Sequence, residues 1–322
     1  MPAAMKELPA LLLLLCLQQA CADEAWDIAA RSLPYIKEKG LARIEDRQCA
    51  SCHQVPGMLW SLNRAARLGL DADRTQASTW TPWAVDWRHW NQSGDKEGVD
   101  KVSAANIDTM SFLLLGSEEG AASWKDDFRR LLLKNQQADG SWKAGGQLPL
   151  GKRPAREIHE VTTQWVLLAL SKPGGDPPPD EALRRAESFL ASAAPGQSTE
   201  WHAQRLLLQP ENPALRETLI KFQHKDGSWG WLVDAPGDAF GTGLALFALA
   251  RTGMTADAPE RKSAVDFLRR TQQVDGSWPV PSTRARDDNK INKTATYWGA
   301  CWAVIGLLEA PPKLEKDPSS TR

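Results

Sequence analysis

Gln223-His224-Lys225-Asp226-Gly227-Ser228-Trp229 recurs as Gln272-Gln273-Val274-Asp275-Gly276-Ser277-Trp278 and as Gln136-Gln137-Ala138-Asp139-Gly140-Ser141-Trp142, three copies of Q-x-x-D-G-S-W in one chain. Self-similarity at a fixed period marks an array of equivalent supersecondary units. Trp229 and Trp278 are 49 residues apart and Trp142 and Trp229 are 87 apart, close to one and two units of a single period. A degenerate copy is therefore expected between the first two, over Phe189 to Trp201. Asp-Gly supplies a tight turn, and the Trp that follows is large enough to pack over a joint.

Working outward from each copy, the preceding segment reads as an amphipathic helix: Leu215, Leu219 and Phe222, or Leu183, Ala186 and Leu190, recur at helical spacing. The following segment is apolar nearly all round, as in Thr162 to Leu170, Gly241 to Ala250 and Thr294 to Leu308, and reads as a shielded inner helix. Extending the alternation towards the N-terminus pairs 24–43 with 52–69 and 74–91 with 103–116. The fold class is then all-α, an α6/α6 toroid of six helical hairpins whose inner helices line a central cavity. Trp80, Trp83, Trp87 and Trp90 are spaced as one face of a helix. Packing is their plain role, with electron hopping or substrate stacking as the sharper one.

The three copies match the Q-x-x-x-G-x-W repeats of the squalene–hopene cyclase and prenyltransferase superfamily, which this sequence resembles over most of its length, and the resemblance implies the same toroid. The activity does not follow. The cyclases use a D-x-D-D acid motif at the start of an inner helix. The matching stretch here, Asp234 to Thr242, lacks it, with Asp238 its only remnant. The zinc-binding D-x-C of protein prenyltransferases is absent as well, and Cys301 sits alone in an apolar helix as a small core residue.

A second signal belongs to another chemistry. Cys49-Ala50-Ser51-Cys52-His53 is C-x-x-C-H, in which two thiols form thioethers to the vinyl groups of a haem and the adjacent imidazole binds iron. The implied cofactor is one covalent haem c, held by Cys49 and Cys52 with His53 as proximal iron ligand. A disulfide or half a zinc site are the rival readings, but no second C-x-x-C or close His pair completes a zinc site. Residues 1–22 read as a secretory signal peptide: Lys6, an apolar run from Leu8 to Leu17, then Ala20-Cys21-Ala22 as the cleavage site before Asp23. Lipid anchoring at Cys21 is the lesser alternative. The expected location is periplasmic, with no transmembrane segment in the mature chain.

The toroid then spans 23–311, with the haem motif opening the first inner helix, and 312–322 is a disordered tail. The alternative is a small cytochrome c domain over 23–116 followed by a toroid over 117–311. In the integrated version the inner-helix starts converge on one mouth of the cavity. The candidates for the sixth iron ligand are His202, opposite the first inner helix, His159, one helix nearer, and Met110. Met58 is too near His53 to serve. Glu157, Glu160 and Glu200 cluster at the same mouth, either orienting a His and moving protons or simply solvated at helix starts.

The net charge of −1, with signs interspersed, excludes a nucleic-acid partner. The leading function is a monohaem c-type redox protein transferring electrons to an unidentified redox partner. A haem-dependent oxidative enzyme acting on a peroxide or a lipophilic small molecule in the cavity is the alternative, so whether the protein is an enzyme stays open. A terpenoid cyclase and a carbohydrate-active toroid with paired carboxylates rank lower.

Overall fold

The computed structural model describes residues 8–50, 54–70, 74–90, 98–118, 120, 122–145, 151–174, 177–287 and 289–309, with side chains from Glu24 in the first helix and from Thr79 in the third. Among the described residues the regular structure is entirely helical. In chain order the helices are α1 (Leu8–Arg47), α2 (Gln54–Arg67), α3 (Arg74–Val85), α4 (Gly98–Ala104), α5 (Ile107–Gly116), α6 (Ser123–Lys134), α7 (Ala155–Leu170), α8 (Asp180–Ala191), α9 (Thr199–Leu208), α10 (Pro213–Lys221), α11 (Ala239–Arg251), α12 (Pro259–Thr271) and α13 (Lys293–Leu307). None of them is long and apolar enough to cross a membrane.

Six of these helices close a ring. α2 packs on α5, α5 on α7, α7 on α9, α9 on α11, α11 on α13, and α13 back on α2. The inner helices are buried on nearly every face: Ala239 to Leu249 of α11 are all buried. The outer helices bury a single stripe, as Ala182, Ala186 and Leu190 do on α8. The result is an α/α toroid. The N-terminal hairpin is part of the same ring of contacts, because α1 packs on α2, α12 and α13.

The D-G-S-W turns are the joints. In each, the Asp Oδ1 accepts from the Ser N–H and hydroxyl two residues on, and the indole N–H of the Trp donates to a carbonyl ten residues earlier: Trp142 to Leu132, Trp229 to Leu219 and Trp278 to Leu268, at 2.7–2.8 Å. The Gln amide then reaches out of its own hairpin. Gln136 donates to Ala182 of α8, Gln223 to Glu260 of α12, and Gln272 to Ile28 of α1. The Gly must be Gly twice over. Its φ is positive, and a Cβ would fall 2.2 Å from a carbonyl oxygen of the next outer helix: Arg185 for Gly140, Ser263 for Gly227, Arg31 for Gly276. The degenerate copy does not make this joint. Trp201 lies inside α9 and its indole donates to the Glu160 carboxylate.

The centre corrects an expectation. Trp60 of α2 touches the rings of Phe112, Trp165, Phe247 and Trp302, contributed by α5, α7, α11 and α13, at centroid separations of 5.3–6.3 Å. Trp165 and Trp302 stack at 5.4 Å. Since α7 and α11 are not neighbours of α2, these contacts cross the axis, and aromatic side chains fill the space where a cavity was expected. A cleft between α2 and α5 is lined by Pro56, Leu59, Asn63 and Leu113 together with Trp60 and Phe112 of the aromatic cluster itself.

Two further expectations change. The tryptophan-rich segment is not one helix face, because α3 ends at Val85 and a 3-10 turn, Trp87–His89, follows. The inner helix expected over 103–116 is divided into α4 and α5, with Asn106 between them.

Asp238, the remnant of an acid motif, caps α11. Its oxygens accept from the Gly241 N–H at 2.8 Å and the Trp231 N–H at 3.0 Å. Burial outweighs these bonds and pushes its pKa up to about 6.

Two outcomes test this account. Gly227→Ala is expected to cost about 2–4 kcal/mol in urea unfolding, backbone strain plus displacement of the Ser263 carbonyl. Gly69→Ala, with φ of +78° but open space around it, is expected to cost only about 1 kcal/mol. Because the folded pKa of Asp238 exceeds the unfolded value of about 3.9, its stabilising contribution is complete below that value and is lost as pH rises through about 6. Wild type should therefore lose stability relative to Asp238→Asn between pH about 4 and about 7; parallel pH profiles would refute the assignment.

Candidate functional site

Cys49 follows the C-terminus of α1. Gln48 bonds back to the Ile44 carbonyl at 2.8 Å and turns the chain with a left-handed φ of 48°. Cys49 is half-buried and Ala50 fully buried. Cys52 and His53 lie outside the described residues, between Ala50 and the start of α2 at Gln54. The two ends of that short gap are fixed. The Tyr297 hydroxyl sits 2.9 Å from the Gln54 carbonyl and 3.1 Å from that of Ile36, joining α13 to α2 and α1. Gly57 lets α2 lie directly on Cys301. Burial pushes the Cys301 thiol up to about 12, which makes it an unreactive core residue.

The other side of the motif faces the segment after α3. The Ala50 N–H donates to the His89 carbonyl at 2.6 Å. Asp86 starts the 3-10 turn by accepting from the Arg88 N–H at 3.0 Å, and its side-chain bonds to the Arg88 guanidinium hold its carboxyl below the usual range. The His89 ring lies flat on Trp83, with centroids 4.5 Å apart and planes within 14°. Its Nδ1 is 2.9 Å from the Trp83 carbonyl. Trp80 meets Trp83 edge-on at 5.8 Å. Trp90 turns inward instead, donating to the Ala84 carbonyl at 2.9 Å and packing on Phe128. The surroundings of Cys49 and Ala50 thus include half-buried aromatic faces and an imidazole. Of the motif's three donors only Cys49 is among the described residues, on half-buried chain beside the turn that carries the His89–Trp83 stack.

The residues expected to complete the site are dispersed. His202 is buried, wedged between Trp201 and Phe222, and its Nε2 sits 2.9 Å from the Gly196 carbonyl. Desolvation lowers its pKa. Its Nε2 is thus engaged with the lead-in to α9. His159 is exposed on α7, close enough to Asp139 to help keep that carboxyl ionised. Met110 is fully buried within α5. The Met58 sulfur packs against Gly40 of α1.

The three glutamates are buried and hydrogen-bonded rather than solvated. Glu157 accepts from the backbone N–H groups of Gln197 and Ser198 and from the Ser198 hydroxyl. Glu160 accepts from the Trp201 indole at 2.8 Å and pairs with Arg156. Glu200 pairs with buried Arg153 at 2.8 Å and accepts from the Trp165 indole at 2.9 Å. All three join α9 or its approach to α7 or its N-terminal lead-in. Sequence reasoning passed over His89, although Asp86 two residues before Arg88 is a capping signal that announces the break placing it there.

The model of the squalene–hopene cyclase C-terminal domain matches residues 208–320. A squalene–hopene cyclase of Bradyrhizobium diazoefficiens is 30% identical over 175 residues, 52% of this chain and 25% of that enzyme. The chain thus spans about a quarter of the length of that curated relative. Among solved structures, a protein from Actinoplanes aligns with a TM-score of 0.47 at 16% identity, covering 79% of this chain and 88% of that one. The unsaturated glucuronyl hydrolase of Bacillus sp. GL1 aligns with a TM-score of 0.42 at 15% identity, covering 90% and 96%. Over residues 208–320 this chain is similar to the squalene–hopene cyclases of the toroid superfamily.

Proposed function

We propose that this protein is an exported c-type redox protein that carries one covalent haem and passes electrons to an unidentified partner in the periplasm. The observation that carries the reading is Cys49-Ala50-Ser51-Cys52-His53, a spacing at which two thioethers and an axial imidazole serve one porphyrin. Attachment adds each S–H across a vinyl double bond: sulfur bonds one carbon, the proton goes to the other, and no oxidant is needed. Bound haem would supply one-electron iron chemistry that the side chains lack. The protein's part would be to hold the macrocycle through Cys49 and Cys52 and its iron through His53.

Substrate chemistry inside the ring has less support. Aromatic rings occupy the axis, Asp238 is committed to capping α11, and Glu157, Glu160 and Glu200 are tied into hydrogen bonds. These observations favour electron transfer over a haem-dependent oxidation of a lipophilic molecule, over terpenoid cyclisation and over glycoside hydrolysis. Residues 24–309 are read as one toroid unit that includes the haem motif, since α2 packs on both α5 and α13. Export rests on the pattern of residues 1–22 alone: Lys6, the apolar run Leu8 to Leu17, and Ala20-Cys21-Ala22 before Asp23.

Expressed with its leader in a host that matures c-type cytochromes, the purified protein should keep its haem through acid–acetone extraction, and its mature N-terminus should be Asp23. Cys49→Ala with Cys52→Ala should yield colourless protein with unchanged helical circular dichroism. Haem extracted from wild type, or never acquired, would overturn the reading; a lipid-modified Cys21 would replace free export by membrane anchoring.

A further inference from the structure

We propose that the protein binds the carboxylate of a small anionic molecule at Arg153, where the segments leading into α7, α9, α11 and α13 meet. The site is independent of the haem reading, since none of its residues belongs to 49–53.

The first ground is the guanidinium itself. The Arg153 side chain is wholly buried, yet only one corner of it is used: Nη1 donates to the Glu200 carboxylate at 2.8 Å and to the Ser198 hydroxyl at 3.3 Å. Nε and Nη2, which form one edge of the planar group, have no hydrogen-bond partner among the described residues. Such an edge carries parallel N–H bonds at the spacing that a carboxylate meets with both its oxygens. Glu200 does not serve it, because its second oxygen is held by the Trp165 indole at 2.9 Å. The surplus here is of donors, and a buried charged donor is costly to leave without an acceptor.

The second ground is a further donor beside the first. Arg153 lies over Trp231, its Cζ 5.5 Å from the ring centroid, and the buried indole N–H of Trp231 has no partner among the described residues either. Trp231 is held in place by its neighbours. Its backbone N–H donates to Asp238 at 3.0 Å, its carbonyl accepts from the Thr199 N–H at 2.8 Å, and its ring stacks on Phe240 with planes within 6°. Guanidinium and indole offer donors only, so a shared ligand must supply acceptors. Both side chains are enclosed, which limits the group that reaches them to the size of a carboxylate, either a small molecule or the end of a longer one.

The third ground is the surrounding charge. A Cβ on Gly151 would collide with the Thr283 carbonyl and the Arg284 backbone, and Lys152 donates to the Asn289 side chain at 2.6 Å. The hairpin whose Ser282 N–H bonds the Lys290 carbonyl at 2.8 Å is thereby set against the lead-in to α7. The contact gathers Lys152, Arg284, Arg286, Lys290 and Lys293 on one rim, with Asp287 as the acid among the described residues of that hairpin. A rim of one sign raises the local concentration of anions, although the whole chain carries a net charge of only −1.

The test uses the full chain, dialysed free of carboxylates and titrated with sodium acetate at constant ionic strength by calorimetry and by nitrogen–proton NMR. The Arg153 Nε–H and Trp231 indole signals are identified by their loss in Arg153→Lys and Trp231→Phe. In wild type both signals should move saturably, with the same midpoint as the heat of binding. Arg153→Lys keeps a cation facing Glu200, so it should retain the wild-type circular dichroism while weakening acetate binding about tenfold or more. Trp231→Phe should weaken it about threefold. A folded Arg153→Lys protein that binds acetate as wild type does would overturn the proposal, as would wild-type signals that do not saturate or that respond equally to sodium chloride. The wild-type calorimetry decides even where a variant does not fold: absence of acetate binding overturns the site, and tighter binding of inorganic phosphate overturns the carboxylate assignment.

Discussion

The hydrogen bond from each clasp glutamine to the backbone of the next outer helix is the constraint on which the ring depends. Gln136, Gln223 and Gln272 each use one amide nitrogen to tie their own turn to a helix of the following hairpin. The third of these bonds joins α12 to α1, the last outer helix to the first, and so closes the circle. Each such bond contributes about 1 kcal/mol net. Burying the adjoining Trp contributes up to about 4–6 kcal/mol by area. Burial therefore supplies most of the stability at the joint, while the hydrogen bonds and the glycine's close approach decide which helix comes next and at what distance.

Those close joints have a consequence at the centre. Gly243 and Gly306 bring α11 and α13 into backbone contact, where a Cβ at either position would fall within 2.5 Å of main-chain atoms of the other helix. Large aromatic side chains from the inner helices meet across the ring. Five inner helices each contribute an aromatic ring to the plug, and edge-to-face contacts such as Trp60 on Phe247 satisfy the quadrupoles of those rings without solvent. Among the described residues the middle of the ring is thus packed with aromatic side chains.

What the sequence revealed was whatever local rules encode: Asp-Gly turns, the alternation of striped and uniformly apolar helices, and the C-x-x-C-H spacing. The filled axis was not legible, because whether Trp60, Phe112 and Trp165 meet depends on the radius of the ring, which no single helix specifies. The glutamates near α9 misled for a related reason. A carboxylate at a helix start looks solvated until the Trp201 indole or the Arg153 guanidinium arrives from another element. The helical spacing of four tryptophans hid His89, since periodicity carried the eye past Asp86, where the 3-10 turn begins and turns Trp90 inward.

The joint that closes the toroid and the lead-in to residues 49–53 are two parts of one helix. α1 receives the Gln272 amide at Ile28 and the backbone of Gly276 at Arg31, runs past Ile36, whose carbonyl faces the Tyr297 hydroxyl, and delivers the chain at Gln48 to Cys49. Tyr297 also reaches Gln54, so the chain is held on both sides of the attachment residues by one hydroxyl on α13. The same contacts that complete the fold fix the two chain ends between which Cys52 and His53 lie, and the Ala50 to His89 bond registers the opposite wall against them. Stability of the toroid and geometry of the rim are for that reason a single problem in this chain.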